Sequence, residues 1–235
     1  MKRLTVILFV GLALLAGCAT APHTIGYKIE TPEQKIEKPF AISVLTFTDK
    51  RPREEREGLK GEFLVFSTKD KDFAQPPAVL ISQQLTRELM AYGFKAETTG
   101  VINVAPTTSK ASFATTIQEP TDYRLEGELL HFQEVIKLNK STLIPYLGNV
   151  FTLWAKDKFV IALSVRVKLF PENSDEAIFD EEFNVDKNLK LPTGLLNLAR
   201  YKRGLRHRLK LLDIATKEVL GKVRNRIVEE LDENP

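Results

Sequence analysis

Cysteine is almost absent from this chain of 235 residues, which contains one cysteine, three histidines and one tryptophan. One cysteine cannot form a disulfide within the molecule, so a secreted domain of this composition depends on its hydrophobic core for stability. The apolar fraction of 43% is ordinary for a globular protein and supplies such a core. We therefore expect a globular domain without disulfides.

Common catalytic motifs are missing as well. The chain has no Gly-x-Ser-x-Gly, no His-Glu-x-x-His and no glycine-rich phosphate-binding loop. His23, His131 and His207 are isolated, and none has a second ligand at the spacing of a metal site. These absences predict a protein that is not an enzyme and that holds no metal or other cofactor.

Charge of one sign is not in excess either. The formal net charge is +3, and two of the basic residues, Lys2 and Arg3, lie in an N-terminal segment that we expect to be removed. A nearly neutral mature chain gives no electrostatic reason to expect a nucleic-acid partner.

The N-terminus has the features of a secretory signal. Lys2 and Arg3 are followed by an apolar run, residues 4–16, which is too short to span a bilayer as a helix. The run ends in the sequence Leu15-Ala16-Gly17-Cys18. These residues resemble the lipobox of bacterial lipoproteins. The resemblance implies cleavage before Cys18, a thioether-linked diacylglycerol on its sulfur and an acyl chain, such as palmitate, on its amine.

Such a lipid anchor determines the expected location and the division of the chain. Ala19 follows the cysteine, whereas an aspartate at that position resembles an inner-membrane retention signal, so we expect the periplasmic face of the outer membrane. Residues 1–17 are then a signal peptide and residues 40–235 a single periplasmic domain. Residues 18–39 are predicted to be a flexible lipidated tether, with an average reach of about 25 Å.

Hydrophobic periodicity indicates an α+β domain. Helices are predicted from Pro76 and Pro77 to Gly93, and after Gly194 to the end of the chain. Strands are predicted at residues 40–47, 94–98, 122–135, 159–169 and 177–185, with a hairpin arm at residues 59–68. The last three strands should form an antiparallel meander. We expect an antiparallel or mixed sheet with two helices packed on one face, the second being a long C-terminal amphipathic helix.

Three small groups of polar residues have both a catalytic and a structural interpretation. Glu126 and Glu128 lie two apart on one strand and could form a carboxylate pair, but we favour a solvated strand face. Asp49 and Arg51 follow the first predicted strand, and we favour a local turn with a surface ion pair. His131 falls on the apolar face of its strand, where we expect it to be buried and hydrogen-bonded.

An apolar and aromatic connection, residues 143–154, joins the first two meander strands, although a hairpin connection should be polar. It contains Tyr146, Phe151 and Trp154. One interpretation, which we slightly favour, is that it covers the open face of the sheet. The other is that it is exposed and binds a partner, a lipid or the bilayer surface.

A basic stretch lies near the start of the last predicted helix. Its residues include Arg200, Lys202, Arg203, Arg206 and Arg208. A solvated helix face is the simpler interpretation, and a site for phosphate-bearing lipid or an acidic protein surface is the alternative. Because cations oppose the dipole at a helix N-terminus, we expect either a separate segment before the helix or a compensating partner.

Several of these features together resemble a group of small envelope lipoproteins. They are the lipobox, the first strand running into Asp49-x-Arg51, the helix ending at Gly93, the strand that starts at Asp122 and the terminal helix. The chain looks like the auxiliary lipoproteins of ABC-type lipid-transport systems, and is similar in pattern to the LPS-assembly lipoprotein and the N-terminal domain of TolB. The resemblance implies an adaptor that binds protein or lipid partners and catalyses no reaction.

The sequence therefore predicts a membrane-anchored, non-catalytic adaptor of the bacterial cell envelope, auxiliary to transport or envelope assembly. Its expected partners are the membrane and an envelope protein, with phospholipid or lipopolysaccharide as further candidates. The alternative is a periplasmic module that binds or shuttles lipid, which requires an apolar groove between the sheet and the helices.

Overall fold

A computed structural model describes residues 22–29, 40–58, 65–100, 120–137, 156–192 and 198–233. The strands in these ranges are β1 (Ala41–Leu45), β2 (Thr48–Asp49), β3 (Val65–Ser67), β4 (Lys95–Thr99), β5 (Tyr123–Lys137), β6 (Lys156–Pro171) and β7 (Phe179–Pro192). The α-helices are α1 (Arg53–Glu57), α2 (Pro77–Ala91) and α3 (Leu198–Glu233), and a short 3₁₀ helix spans Asp70–Asp72.

The strands form one mixed sheet in the order β4-β1-β5-β6-β7. β1 is parallel to both of its neighbours, β4 and β5. Beyond β1, the same edge of β5 pairs with β2 in parallel and then with β3 in antiparallel orientation. On its other side, β5 continues into the antiparallel meander β5-β6-β7. The predicted α+β class, mixed sheet and meander are confirmed.

The two long helices pack against the sheet through the stripes that the sequence predicts. In α2, Ile81, Leu85 and Leu89 are completely buried. In α3 the buried stripe consists of Leu212, Ala215, Val219, Val223, Ile227 and Leu231. Both stripes belong to one hydrophobic core with alternate residues of β5 and β6, such as Leu125 and Leu169. Burial of these apolar side chains supplies the main driving force for the fold.

The opposite face of the meander carries charged and polar side chains that pair between neighbouring strands. Arg166 forms two hydrogen bonds to Asp180, of 2.6 and 2.7 Å, and Lys168 lies 3.2 Å from the same carboxylate. Ser164 donates a hydrogen bond to Glu182 on the neighbouring strand. The described meander is therefore apolar towards the helices and polar on its other face, as an antiparallel sheet with one solvated side requires.

A β-bulge in β5 changes which residues face the core. Leu129 pairs with Val165, but the next paired residues are His131 and Ser164, so β5 contains one extra residue at this point. Before the bulge the buried residues Leu125 and Leu129 are odd-numbered, whereas the even-numbered Phe132 is buried after it. The prediction of a buried His131 is therefore wrong, because the bulge turns this side chain away from the core and leaves 49% of it exposed.

Part of the predicted tether belongs to the domain. The His23 amide donates to the Asp72 carbonyl, and the Ala74 amide donates to the His23 carbonyl, each at 2.8 Å. Ile25 is buried in the core, and Tyr27 packs against it. Residues 22–29 are therefore held against the folded domain instead of forming a flexible tether, because two apolar side chains and two backbone hydrogen bonds fix them.

Candidate functional site

The predicted functional residues lie either outside the described structure or in a part of α3 where only the backbone is described. Cys18, Tyr146, Phe151 and Trp154 lie outside the described residues. For residues 198–210 of α3 the helical backbone is described, but the side chains are not. Since α3 begins at Leu198, the helix itself contains Arg200, Lys202, Arg203, Arg206 and Arg208. Of the two alternatives for the basic stretch, a separate segment before the helix is therefore wrong, and a compensating partner remains.

Helical spacing arranges part of the basic stretch in one row. Residues three or four positions apart lie on the same helix face. Lys202, Arg206, Lys210 and Asp213 follow one another at spacings of four, four and three, so the three basic positions lead directly to Asp213. Arg200 and Arg208 fall about 140° away from this row, given 3.6 residues per turn.

Asp213 holds the N-terminal segment against α3. Its Oδ1 lies 3.3 Å from the His23 Nε2 and 3.4 Å from the Gly26 amide, which donates to it. Both side chains of the His23–Asp213 pair are largely buried, with 13% and 14% exposed. The His23 ring also contacts the edge of Phe73, with the ring centroids 5.8 Å apart. We call residues 22–29 with these contacts the docked segment.

The docked segment ends beside an ionic contact between the two long helices. Arg224 of α3 donates to Glu88 of α2 at 2.5 Å, and its guanidinium stacks 3.9 Å above the centre of the Tyr92 ring. Glu88 is 1% exposed, so the pair is nearly dry. The Tyr27 hydroxyl is buried beside Glu88, and desolvation together with that negative charge raises its pKa above the ordinary value. Tyr27 therefore remains neutral.

Arg51 is the buried centre of an ionic cluster whose two carboxylates are partly exposed. It is 4% exposed, donates to both oxygens of Asp49 at 2.9 and 2.7 Å, and donates to Asp70 at 2.8 Å. Burial alone would raise the pKa of Asp49, but the hydrogen bonds and the charge of Arg51 outweigh it and hold this pKa below its ordinary value. The expected ion pair between Asp49 and Arg51 is present. Its predicted place on the surface is wrong, because Asp70 and the surrounding chain cover the guanidinium. The cluster joins β2 to the 3₁₀ helix.

His131 and Glu55 form a second structural contact at the bulge. Glu55 of α1 lies 2.7 Å from the His131 Nδ1, and its other oxygen accepts the Phe132 amide at 3.2 Å. The carboxylate thus binds a backbone amide next to the irregular point of β5. This arrangement attaches α1 to the sheet.

Glu126 and Glu128 line a shallow polar pocket of about 160 Å³. Its other lining residues are Leu45, Thr46, Thr48, Gly127, Arg166 and Lys168. Glu126 pairs in register with Lys168, and Glu128 pairs with Arg166. Each carboxylate therefore has a basic residue directly opposite, an arrangement that favours the solvated strand face over an acid/base pair.

The described part of the chain contains neither a clustered metal-binding group nor a membrane-spanning helix. Among the described residues, no group of three or more histidine, cysteine, aspartate or glutamate side chains is arranged to hold a metal ion. Within the same part of the chain, no helix combines the length and the apolar character that crossing a bilayer requires.

Comparisons with known proteins identify the fold. No family model matches the chain, and no curated protein matches it. Among solved structures, a DUF330 protein from Xanthomonas campestris is similar with a TM-score of 0.54 and 9% identity, over 92% of this chain and 98% of that one. A hypothetical protein from Chlamydia trachomatis has a TM-score of 0.38 and 15% identity, over 81% of this chain and 96% of that one.

The similarity to the Xanthomonas campestris protein extends over nearly the whole of both chains, so the two share an overall fold. An identity of 9% supports no statement about shared activity or partners. Function has to be argued from the residues of this chain.

Proposed function

We propose that this protein is a lipid-anchored, non-catalytic adaptor of the bacterial cell envelope, auxiliary to transport or envelope assembly. The observation that carries the proposal is the sequence Leu15-Ala16-Gly17-Cys18 at the end of a signal core, only a few residues before a folded domain. Cys18 is the only cysteine of the chain and has no partner for a disulfide. Apart from the acyl chains on Cys18, the proposed protein carries no cofactor.

The polar side chains of the described residues support a binding role over a catalytic one. Arg51, Glu55 and Glu88 are engaged in contacts that join secondary-structure elements. Charged groups used in this way stabilise the fold, whereas a general acid or base has to face a substrate site. A domain of this kind acts by presenting surfaces to a protein or a membrane.

The packing between sheet and helices supports the adaptor over a lipid shuttle. Ile81, Leu125, Ile161 and Val223 are completely buried and belong to one continuous core. A shuttle needs a groove that accommodates acyl chains, and groove-lining residues would be accessible. In the described part of the sheet-helix interface, side chains occupy this space.

The anchor is tested by comparing the wild-type chain with Cys18→Ser in a Gram-negative host supplied with radiolabelled palmitate. We expect label and outer-membrane fractionation for the wild type, and neither for the variant. Ala19→Asp is the matched control, which should keep the label and move the protein to the inner membrane. An unlabelled wild-type protein recovered as soluble periplasmic material would overturn the proposal.

The adaptor role is tested by crosslinking the lipidated protein in its own membranes and analysing the purified material for proteins and for lipids. We expect a defined envelope protein to be captured, and its capture to be lost in Phe151→Ser/Trp154→Ser with an unchanged circular dichroism spectrum. Stoichiometric bound phospholipid without a protein partner would instead establish the shuttle.

A further inference from the structure

The docked segment limits how far the domain can lie from its anchor. His23 is fixed to the domain by two backbone hydrogen bonds and by its contact with Asp213. Cys18 precedes His23 by five residues. Because an extended residue spans at most about 3.6 Å, the sulfur-bearing residue lies within about 18 Å of His23. A free tether of residues 18–39 would have allowed the domain to move much farther from the membrane.

The point of docking lies on α3, next to the basic row. Lys210, Arg206 and Lys202 precede Asp213 on the same helix row. At 1.5 Å per residue they lie about 5, 11 and 17 Å from Asp213 along the helix axis. An anchor within about 18 Å of His23 and a row that begins about 17 Å from Asp213 are therefore both close to the contact between these two residues.

The position of the row in α3 also calls for a negatively charged partner. The row places three basic residues on one face of α3, and the first turn of the helix contains no acidic residue to balance them. An anionic surface placed there interacts favourably with the row and with the positive end of the dipole. A bilayer containing anionic phospholipids is such a surface, and a short lipid anchor makes it the nearest one.

We propose that the docked segment orients the domain on its membrane, and that the row Lys202, Arg206 and Lys210 binds the phosphate groups of anionic phospholipid headgroups. His23 and Asp213 act as positioning residues, since they fix the angle between anchor and helix. The proposal rests on the lipid anchor of the proposed function. It adds a specific surface, a ligand chemistry and an orientation.

The row is tested with residues 18–235, alkylated at Cys18, and vesicles of phosphatidylcholine with or without phosphatidylglycerol. A basic residue near an anionic surface strengthens binding about fivefold, so we expect Lys202→Gln/Arg206→Gln to bind phosphatidylglycerol vesicles roughly 25-fold more weakly. Arg200→Gln/Arg208→Gln removes the same charge from the same helix turns but lies off the row, and should weaken binding less than twofold.

Two results would overturn the proposed row. If both double variants lose the same amount of affinity for the vesicles, the attraction is electrostatic but not specific to the row. If neither variant loses affinity, α3 does not contact lipid. Circular dichroism and urea unfolding of all variants confirm that the fold is retained.

The orientation is tested after coupling Cys18, the only cysteine, to a maleimide lipid in the phosphatidylglycerol vesicles. We expect the amides of residues 198–210 to exchange hydrogen more slowly in the coupled wild type than in the free protein. In His23→Ala/Asp213→Asn this protection should be lost, while the affinity of the uncoupled variant for the vesicles should not fall, because Asp213→Asn removes a negative charge beside the row. Retained protection would reject an orienting role for the docked segment.

Because the lipid is attached chemically in this experiment, its outcome does not depend on acylation in the cell. A protein that is not acylated in the cell contradicts the proposed function but leaves these measurements valid. Conversely, a correctly acylated protein whose row does not bind the vesicles contradicts only the further inference.

Discussion

At the scale of single residues, Arg51 is a buried charged group held by two carboxylates. Its guanidinium lies between the carboxylates of Asp49 and Asp70, which accept the hydrogen bonds that water would otherwise accept. Removing one partner leaves part of this charge unsatisfied. Sequence reasoning identified Asp49 and Arg51 as a pair but missed Asp70, which lies 19 residues farther along the chain, because sequence spacing gives no information on such contacts.

We predict that Asp49→Asn lowers the free energy of unfolding by about 2 to 3 kcal/mol near neutral pH. Asp49 has a lowered pKa in the folded state, so its stabilising contribution is complete above the unfolded pKa of about 3.9 and is lost as the pH falls through the folded value. The difference between wild type and variant should therefore shrink below about pH 4. Urea unfolding at a series of pH values measures it.

Asp180→Asn is the matched control for this prediction. Asp180 also binds an arginine through both oxygens, but the pair with Arg166 is on the surface. Because water screens exposed pairs, this variant should cost less than about 1 kcal/mol. Equal losses in the two variants would mean that burial of Arg51 contributes nothing.

The absence of a side chain at Gly127 leaves room for the ring of Phe47. A Cβ at this position would lie 2.3 Å from the ring of Phe47, which is itself 3% exposed. We predict that Gly127→Ala lowers the free energy of unfolding by about 2 kcal/mol, and that adding Phe47→Leu restores part of it. Gly221→Ala is the control, since its Cβ meets nothing closer than 3.8 Å, and in a helix the change should stabilise by up to about 1 kcal/mol. Thermal unfolding distinguishes the loss of stability expected for Gly127→Ala from the gain expected for Gly221→Ala.

At the scale of secondary-structure elements, the sequence predicted the ends of α2, because helix ends depend on residues that are close together in the chain. Pro77 at the start and Gly93 with a φ of 101° after the end mark α2, which spans Pro77–Ala91 as expected. The parallel pairing of β1 with β4 and β5 was not predictable, because periodicity shows which face of a strand is buried and not which strand lies beside it. The bulge in β5 was missed because nothing in its sequence marks the extra residue.

The contact of α1 with the bulge gives a prediction for this element. Glu55→Ala removes the acceptor of the Phe132 amide and the partner of His131. We expect a loss of about 1 to 2 kcal/mol and faster hydrogen exchange at residues 130–133. Glu57→Ala, which removes an exposed contact with Arg53 on the same helix, should change stability by less than about 0.5 kcal/mol. Unchanged exchange in Glu55→Ala would contradict the proposed attachment.

At the scale of the whole molecule, the boundary of the domain lies earlier than the sequence indicates. Residues 22–29 show no sustained periodicity, and Ile25 and Tyr27 are too few to predict packing. Their partners, Asp213 and Glu88, belong to two different helices far along the chain. The docked segment, which links the predicted anchor to the helix that carries the basic stretch, was not part of the prediction from sequence.

We predict that a chain starting at residue 30 is less stable than one starting at residue 19 by about 3 kcal/mol, because it loses the buried side chains of Ile25 and Tyr27. A chain starting at residue 22 retains the docked segment and should match the longer protein. Denaturant unfolding of the three chains decides between a docked segment and a free tether, since a free tether would give equal midpoints.

The contact between His23 and Asp213 also bears on the order of events while the chain folds. It joins residues 190 positions apart, so it closes only after almost the entire chain is available, and contacts of such separation form late in folding. A chain that leaves the cytoplasm N-terminus first therefore exposes Cys18 to processing before the docked segment becomes immobile. In the proposed lipoprotein, acylation of Cys18 therefore precedes docking, and the docked segment then leaves only a few residues between the lipid and the folded domain.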